Sequence, residues 1–335
     1  MKKFIFSIVA MAALASCAKE ETISRTENAP IAFETPFVEN ATRATDVNKD
    51  NLNNFRVFAA VSKDNNTGMI LNNEPVKKFG NGYVYSHTQY WVPGAAYDFV
   101  AIANDNPYWS YTTTDAKNGT ISFDNSQAAA NNDLVFASAS RAVRSGFDNY
   151  AADTQPVAFT FNHLLSRVRF TFINGIVASS NLTFKISNVT ITDAYKKGTL
   201  AVTEGATATA WSTEDKTLNI PFAINGTIVE GIPNVNGTNG AAKFVTSEHH
   251  YLIPANAGVT VTFDLTIYQS GVELGTYARK ATIALNAAKG ASYDIKATLN
   301  TDNVLPTALK PIVFTVEDVT AWADYTGQDS TVSNI

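Results

Sequence analysis

Cys17 is the residue whose type and setting point most directly to covalent chemistry. It is the only cysteine among 335 residues, and it follows Lys2, Lys3 and an apolar run of 11 residues from Phe4 to Leu14. That run is too short to span about 30 Å of hydrocarbon as a helix, so it reads as a signal peptide. Leu14-Ala15-Ser16-Cys17 looks like a bacterial lipobox. On this reading residues 1–16 are removed and the Cys17 thiol carries the lipid, with palmitate-type acyl chains anchoring the chain to the outer membrane. Two or more acyl chains anchor stably where one does not. The alternative is an ordinary secretory signal with a cysteine there by chance.

Signals for other chemistry are weak. No Gly-x-Gly-x-x-Gly, P-loop, Gly-x-Ser-x-Gly or His-Glu-x-x-His motif is present. A single cysteine excludes a disulfide framework or a cysteine-rich zinc module. His249 and His250 are adjacent, so in a strand they point to opposite faces and cannot chelate one ion. His163 reads as a hydrogen-bonded structural residue. Asp98, Asp105 and Asp264 are scattered rather than paired. Arg141, Arg144, Arg167 and Arg169 could form a small basic patch, with solvated loop positions as the default. Trp91, Trp109, Trp211 and Trp322 could line a sugar site or fill a core. The reading is therefore no catalytic residues, no metal and no cofactor.

Composition agrees. Charged residues make up 16% of the chain, below the roughly 25% usual for soluble proteins. With 25 Lys+Arg against 30 Asp+Glu, the net charge of −5 supplies no basic field for nucleic acid. Past the leader, no other stretch is long and apolar enough for a membrane span.

The elements that must carry any function read as β-strands. From about Ile31 the chain runs in short alternating segments, among them Phe55 to Val61, Tyr97 to Ala103, Val157 to Phe161, Arg167 to Phe172, Thr260 to Ile267 and Ile312 to Val316. Asn118-Gly119, Asn225-Gly226 and similar turn signals separate them. Many short strands at regular spacing predict an all-β chain of two β-sandwiches, divided near His163. The expected organisation is a signal peptide over 1–16, a lipidated segment with the first strand over 17–43, one sandwich over 44–163 and a second over 164–335.

In this order and spacing the chain resembles the Bacteroidetes fimbrillin family, the subunits of donor-strand (type V) pili. The resemblance covers most of the mature chain. It rests on Cys17, on Ile31-Ala32-Phe33-Glu34 followed by Ala41-Thr42-Arg43-Ala44-Thr45, and on Tyr90-Trp91-Val92-Pro93-Gly94. It continues through Asp133-Leu134-Val135-Phe136-Ala137, Phe161-Asn162-His163-Leu164-Leu165, Lys289-Gly290-Ala291-Ser292-Tyr293 and Ile312-Val313-Phe314 to Trp322. Ala18-Lys19-Glu20-Glu21 is similar to the surface-export signal of Bacteroidetes lipoproteins.

The resemblance implies two tandem Greek-key, transthyretin-like sandwiches and a non-enzymatic structural and adhesive role in a surface fimbria. Its partners would be other fimbrial subunits, its own kind or accessory, together with an Arg-directed protease. Cleavage between Arg43 and Ala44 would discard the lipid and a first strand, Ile31 to Phe37, with Ile31, Phe33 and Phe37 on one face. A strand from the next subunit would then fill the groove. Arg43 lies in the polar stretch Glu39 to Asn54; Arg25 is a rival site that would free only the lipid. The donor strand would be Ile312, Phe314 and Val316, unless these form the last strand of the second sandwich. Only 13 residues follow Trp322, a departure that leaves tip, accessory and anchor positions open. The alternative is a surface lipoprotein that does not polymerise, either a pilus anchor or a glycan-binding module.

Overall fold

The computed structural model describes residues 29–38, 47, 51–80, 82–103, 107–127, 133–145, 149–176, 181–225, 244–304, 310–318 and 328–330. Among them the chain is built almost wholly of strands, with two four-residue helices, Tyr150–Asp153 and Thr301–Val304.

Four sheets result. The first runs in the order Phe37–Val38, Thr160–His163, Val135–Ala142, Ala96–Ala103, Asn54–Lys63, Asn66–Phe79, Gly82–Val84. The second joins Trp109–Thr113, Gly119–Asp124 and Lys197–Thr203, with Ala206–Thr207 and Ser212–Glu214 on the last of these. The third has Ser166–Asn174 and Ser292–Leu299 at its centre, then Phe314–Asp318 and Gln328–Ser330. The fourth is Leu218–Phe222, Leu182–Ala194, Val259–Gln269, Val272–Ile283. Tight two-residue turns close three hairpins: Asp64-Asn65, Glu204-Gly205 and Ser270-Gly271 all have positive φ at both positions. That is the twist-matched geometry for antiparallel strands.

Among the described residues three apolar cores hold the layers together. The third and fourth sheets face each other across a core that includes Phe170, Phe172, Phe184, Phe263, Ile295 and Phe314. The first sheet is covered on both faces. Along Asn54–Lys63, Phe55, Val57 and Ala59 enter one core while Phe58 and Ala60 enter another. Val100 and Ile102 likewise turn away from Phe99 and Ala101. Double burial explains why these central strands read as near-continuous apolar runs.

The second sheet is what covers the outer face. It takes strands from both sides of His163, pairing Gly119–Asp124 with Lys197–Thr203 from Lys197↔Asp124 to Val202↔Gly119. A hydrogen-bonded layer therefore joins the two halves of the chain. Gly119 is constrained here, because a Cβ at that position would collide with the Thr112 carbonyl.

Candidate functional site: the edge segment and its groove

The segment 29–38 lies between the loop 85–91 and the stretch 157–161, at the edge of the first sheet. On one side the Ile31 amide donates to the Gln89 carbonyl (2.8 Å) and the Trp91 amide to the Ala29 carbonyl (3.0 Å). On the other, the Glu34 amide donates to the Val157 carbonyl (3.1 Å) and the Val157 amide to that of Ala32 (2.7 Å). Phe37 and Val38 then pair in parallel with Thr160 and Phe161. The Tyr85 hydroxyl donates to the Ile31 carbonyl (2.9 Å).

Side chains from this segment complete the core beneath. Ile31 is 2% exposed, Phe33 4% and Val38 6%. Phe33 stacks on Phe159 at 5.7 Å and meets Phe55, Tyr85 and Phe99 edge-on at 6.1, 5.4 and 6.3 Å. Burying such side chains is worth about 1.5–3 kcal/mol each. Removing the segment would therefore open a long apolar groove floored by aromatic rings.

The alternation is not regular. Ile31 and Phe33 are buried, Glu34 and Thr35 are both exposed, and Pro36 and Val38 are buried. The inward face thus changes phase at Glu34-Thr35. Among the side chains described, Ile31, Phe33, Pro36 and Val38 are the buried ones, spaced by two, three and two residues. Phe37 itself is described only through its backbone pairing.

Glu74 holds the loop wall of the groove. It is 6% exposed and accepts from the Ser86 amide (3.0 Å), the His87 amide (3.2 Å) and His87 Nδ1 (2.8 Å). Burial pushes its carboxyl up, but the hydrogen bonds from His87 and Ser86 outweigh this and hold it below its ordinary value. The Val47 amide donates to Asp133 Oδ2 (3.3 Å). Asp133 pairs with His163 Nδ1 at 2.8 Å, the two side chains being 0% and 2% exposed.

Ile312, Phe314 and Val316 occupy a different setting. They are 0%, 0% and 4% exposed and fill the core between the third and fourth sheets. Phe314 meets Phe170, Phe172 and Phe263 at 6.3, 5.9 and 6.0 Å. Its strand pairs antiparallel from Ala297↔Phe314 to Tyr293↔Asp318, and Gln328–Ser330 pairs on its other side. Cys17, Arg25, Arg43, Ala44 and Trp322 lie outside the described residues.

The remaining candidates resolve simply. Arg167 is not a solvated patch residue: it is 1% exposed in a central strand, its Nε donating to Ser292 Oγ (3.2 Å). Arg169 pairs with Asp294 and Arg144 with Asp153. Trp91 and Trp211 are 1% and 7% exposed, and Trp109 is half-buried against the core under the second sheet. His250 bonds Glu248 and packs on Phe222. Among the described residues no group of three His, Cys, Asp or Glu side chains could hold a metal ion. Sequence reasoning missed Asp133 as the partner of His163, although both stood in stretches singled out for the resemblance.

A fimbrillin-like family model matches residues 42–318. Among solved structures the chain is similar to a candidate cell adhesion protein from Bacteroides uniformis (18% identity, 87% of this chain and 98% of that one, TM-score 0.48). It is also similar to a fimbrial assembly protein from Parabacteroides distasonis (13% identity, 91% and 98%, TM-score 0.43). A third is the fimbrial anchor protein Mfa2 from Porphyromonas gingivalis (11% identity, 92% and 100%, TM-score 0.40). No curated relative matches the chain. With the family model matching most of its length, the chain belongs to the fimbrillin-like family.

Proposed function

We propose that this chain is a fimbrial subunit of the cell surface that accepts a strand from another subunit. In this reading it is exported as an outer-membrane lipoprotein through Cys17 and cut between Arg43 and Ala44 by an Arg-directed protease. Loss of residues up to 43 removes Ile31, Phe33 and Phe37 together with the lipid, and a partner strand takes their place. The observation that carries the reading is the 29–38 segment. It is a sheet edge whose side chains complete a core, followed by the polar stretch that contains Arg43. The family match, which begins at residue 42, leaves that segment out.

An unpaired edge over an open apolar groove invites aggregation, which explains holding a covering strand in place until the surface is reached. Of the two roles the sequence leaves open for Ile312, Phe314 and Val316, we propose the last core strand, since donating them would empty the second core. We take residues 44–163 and 164–335 as two sandwich units tied by the shared second sheet.

The closed C-terminal core also supports a second reading, a pilus anchor that keeps its first strand and its lipid. Recovering the protein from its native surface and determining its N-terminus and intact mass decides between the two. A start at Ala44 without lipid, with a heat-sensitive ladder of multimers, supports the acceptor subunit. A lipidated Cys17 start without a ladder overturns it in favour of the anchor. Glycan capture on exposed tryptophans gains no support from the burial of Trp91 and Trp211.

A further inference from the structure

We infer that the groove selects an incoming strand whose apolar side chains fall at positions i, i+2, i+5 and i+7, with an aromatic ring in the Phe33 pocket, and that it rejects this chain's own C-terminal strand. The inference rests on the strand-acceptor reading above and names the kind of partner that site takes: an extended peptide with two consecutive polar residues at its centre. The resident segment defines the rule. Ile31, Phe33, Pro36 and Val38 are its buried positions, and Glu34 and Thr35 its exposed pair. A regularly alternating strand seated on the first two pockets is out of phase at the last two, because a one-residue slip turns every following side chain to the other face. The spacing reads the same from either end, so it constrains a donor of either polarity.

The chain carries a decoy for this rule. Ile312-Val313-Phe314 repeats the Ile31-Ala32-Phe33 pattern. Seated on the same two pockets, however, the C-terminal strand places Val316 at the exposed position of Thr35 and Glu317 in the buried position of Pro36. Burying an unpaired carboxylate is strongly unfavourable. In its own sheet the strand alternates without a break, with Ile312, Phe314 and Val316 inward and Val313 and Glu317 outward. The groove therefore favours a strand from a different subunit over self-donation.

The test uses the full chain nicked after Arg43, so that the resident segment stays seated, with labelled peptides competing for its place. The peptide 29–40 should displace the segment best. The same peptide carrying Phe33→Ala should compete about a hundredfold more weakly. A peptide lacking Thr35, and the peptide 310–321, should each compete at least about tenfold more weakly than 29–40. Competition by either of these last two at the level of 29–40 overturns the spacing rule while leaving the acceptor reading intact. Failure of every peptide, 29–40 included, to exchange overturns the acceptor reading itself.

Discussion

Two stretches of this chain share an Ile-x-Phe pattern and bury it equally well, yet their backbones are held differently. Phe33 and Phe314 are 4% and 0% exposed, each among aromatic neighbours. The N-terminal segment is held by scattered main-chain bonds, isolated bridges at Pro30 and Phe33 and a two-residue parallel ladder. The C-terminal strand lies in a continuous antiparallel ladder with a neighbour on each side. The two stretches thus differ in the continuity of their backbone pairing and not in side-chain burial; on the acceptor reading proposed above, the less continuously paired one is the strand that leaves. As a fimbrillin-like protein the chain is structural and not an enzyme.

The largest effect that sharpens the comparison is expected from Phe314→Ala. Deleting that ring should cost about 3–5 kcal/mol in chemical denaturation, whether or not the chain has been cut after Arg43. Phe33→Ala should cost a similar amount in the uncut chain and nothing once its segment has been replaced by a partner strand. An equal loss from Phe33→Ala in assembled, processed protein would break the distinction.

Next comes the buried pair of Asp133 and His163. Asp133→Ala removes the side chain that both His163 Nδ1 and the Val47 amide reach, so we expect about 1–3 kcal/mol of destabilisation. A change below about 0.5 kcal/mol would show that the pair is incidental.

The smallest effect concerns the groove wall. Glu74 is held below its ordinary value of 4.5, so its contribution is complete above that pH and is lost as pH falls through its lower folded value. Amide hydrogen exchange across 85–91 should therefore quicken on acidification below 4.5. Glu74→Gln should cost about 1–2 kcal/mol and flatten that dependence. A wall equally protected at all acidic pH values would contradict the assigned role.

Much of this architecture was legible in the residues. Alternation in stretches such as Thr260 to Ile267 revealed the strands, and Ile31 and Phe33 stood out as one inward face. Three features did not show. The pairing of Gly119–Asp124 with Lys197–Thr203 depends on a partner far along the chain and on the apolar outer face of Phe58, Val100 and Ile102, which local periodicity does not reveal. Arg167 reads as solvated by default because charge favours the surface, but a hydroxyl partner on the adjacent strand lets it sit inside. The consecutive exposed pair Glu34-Thr35 does not show in the sequence, because Ile31, Phe33 and Phe37 already fit a simple alternation. Only the folded chain shows that Pro36 and Val38 are buried.

The most direct test of the central claim is to lock the segment in place. Phe33 and Val157 are bridged in parallel register, so Glu34→Cys with Ala158→Cys places a disulfide across the seam at exposed positions. Fimbrial multimers would be measured on gels with and without reductant. The account predicts that the oxidised variant stays monomeric and that reduction restores the ladder. A ladder of equal strength with the disulfide intact would contradict strand removal as the route to assembly.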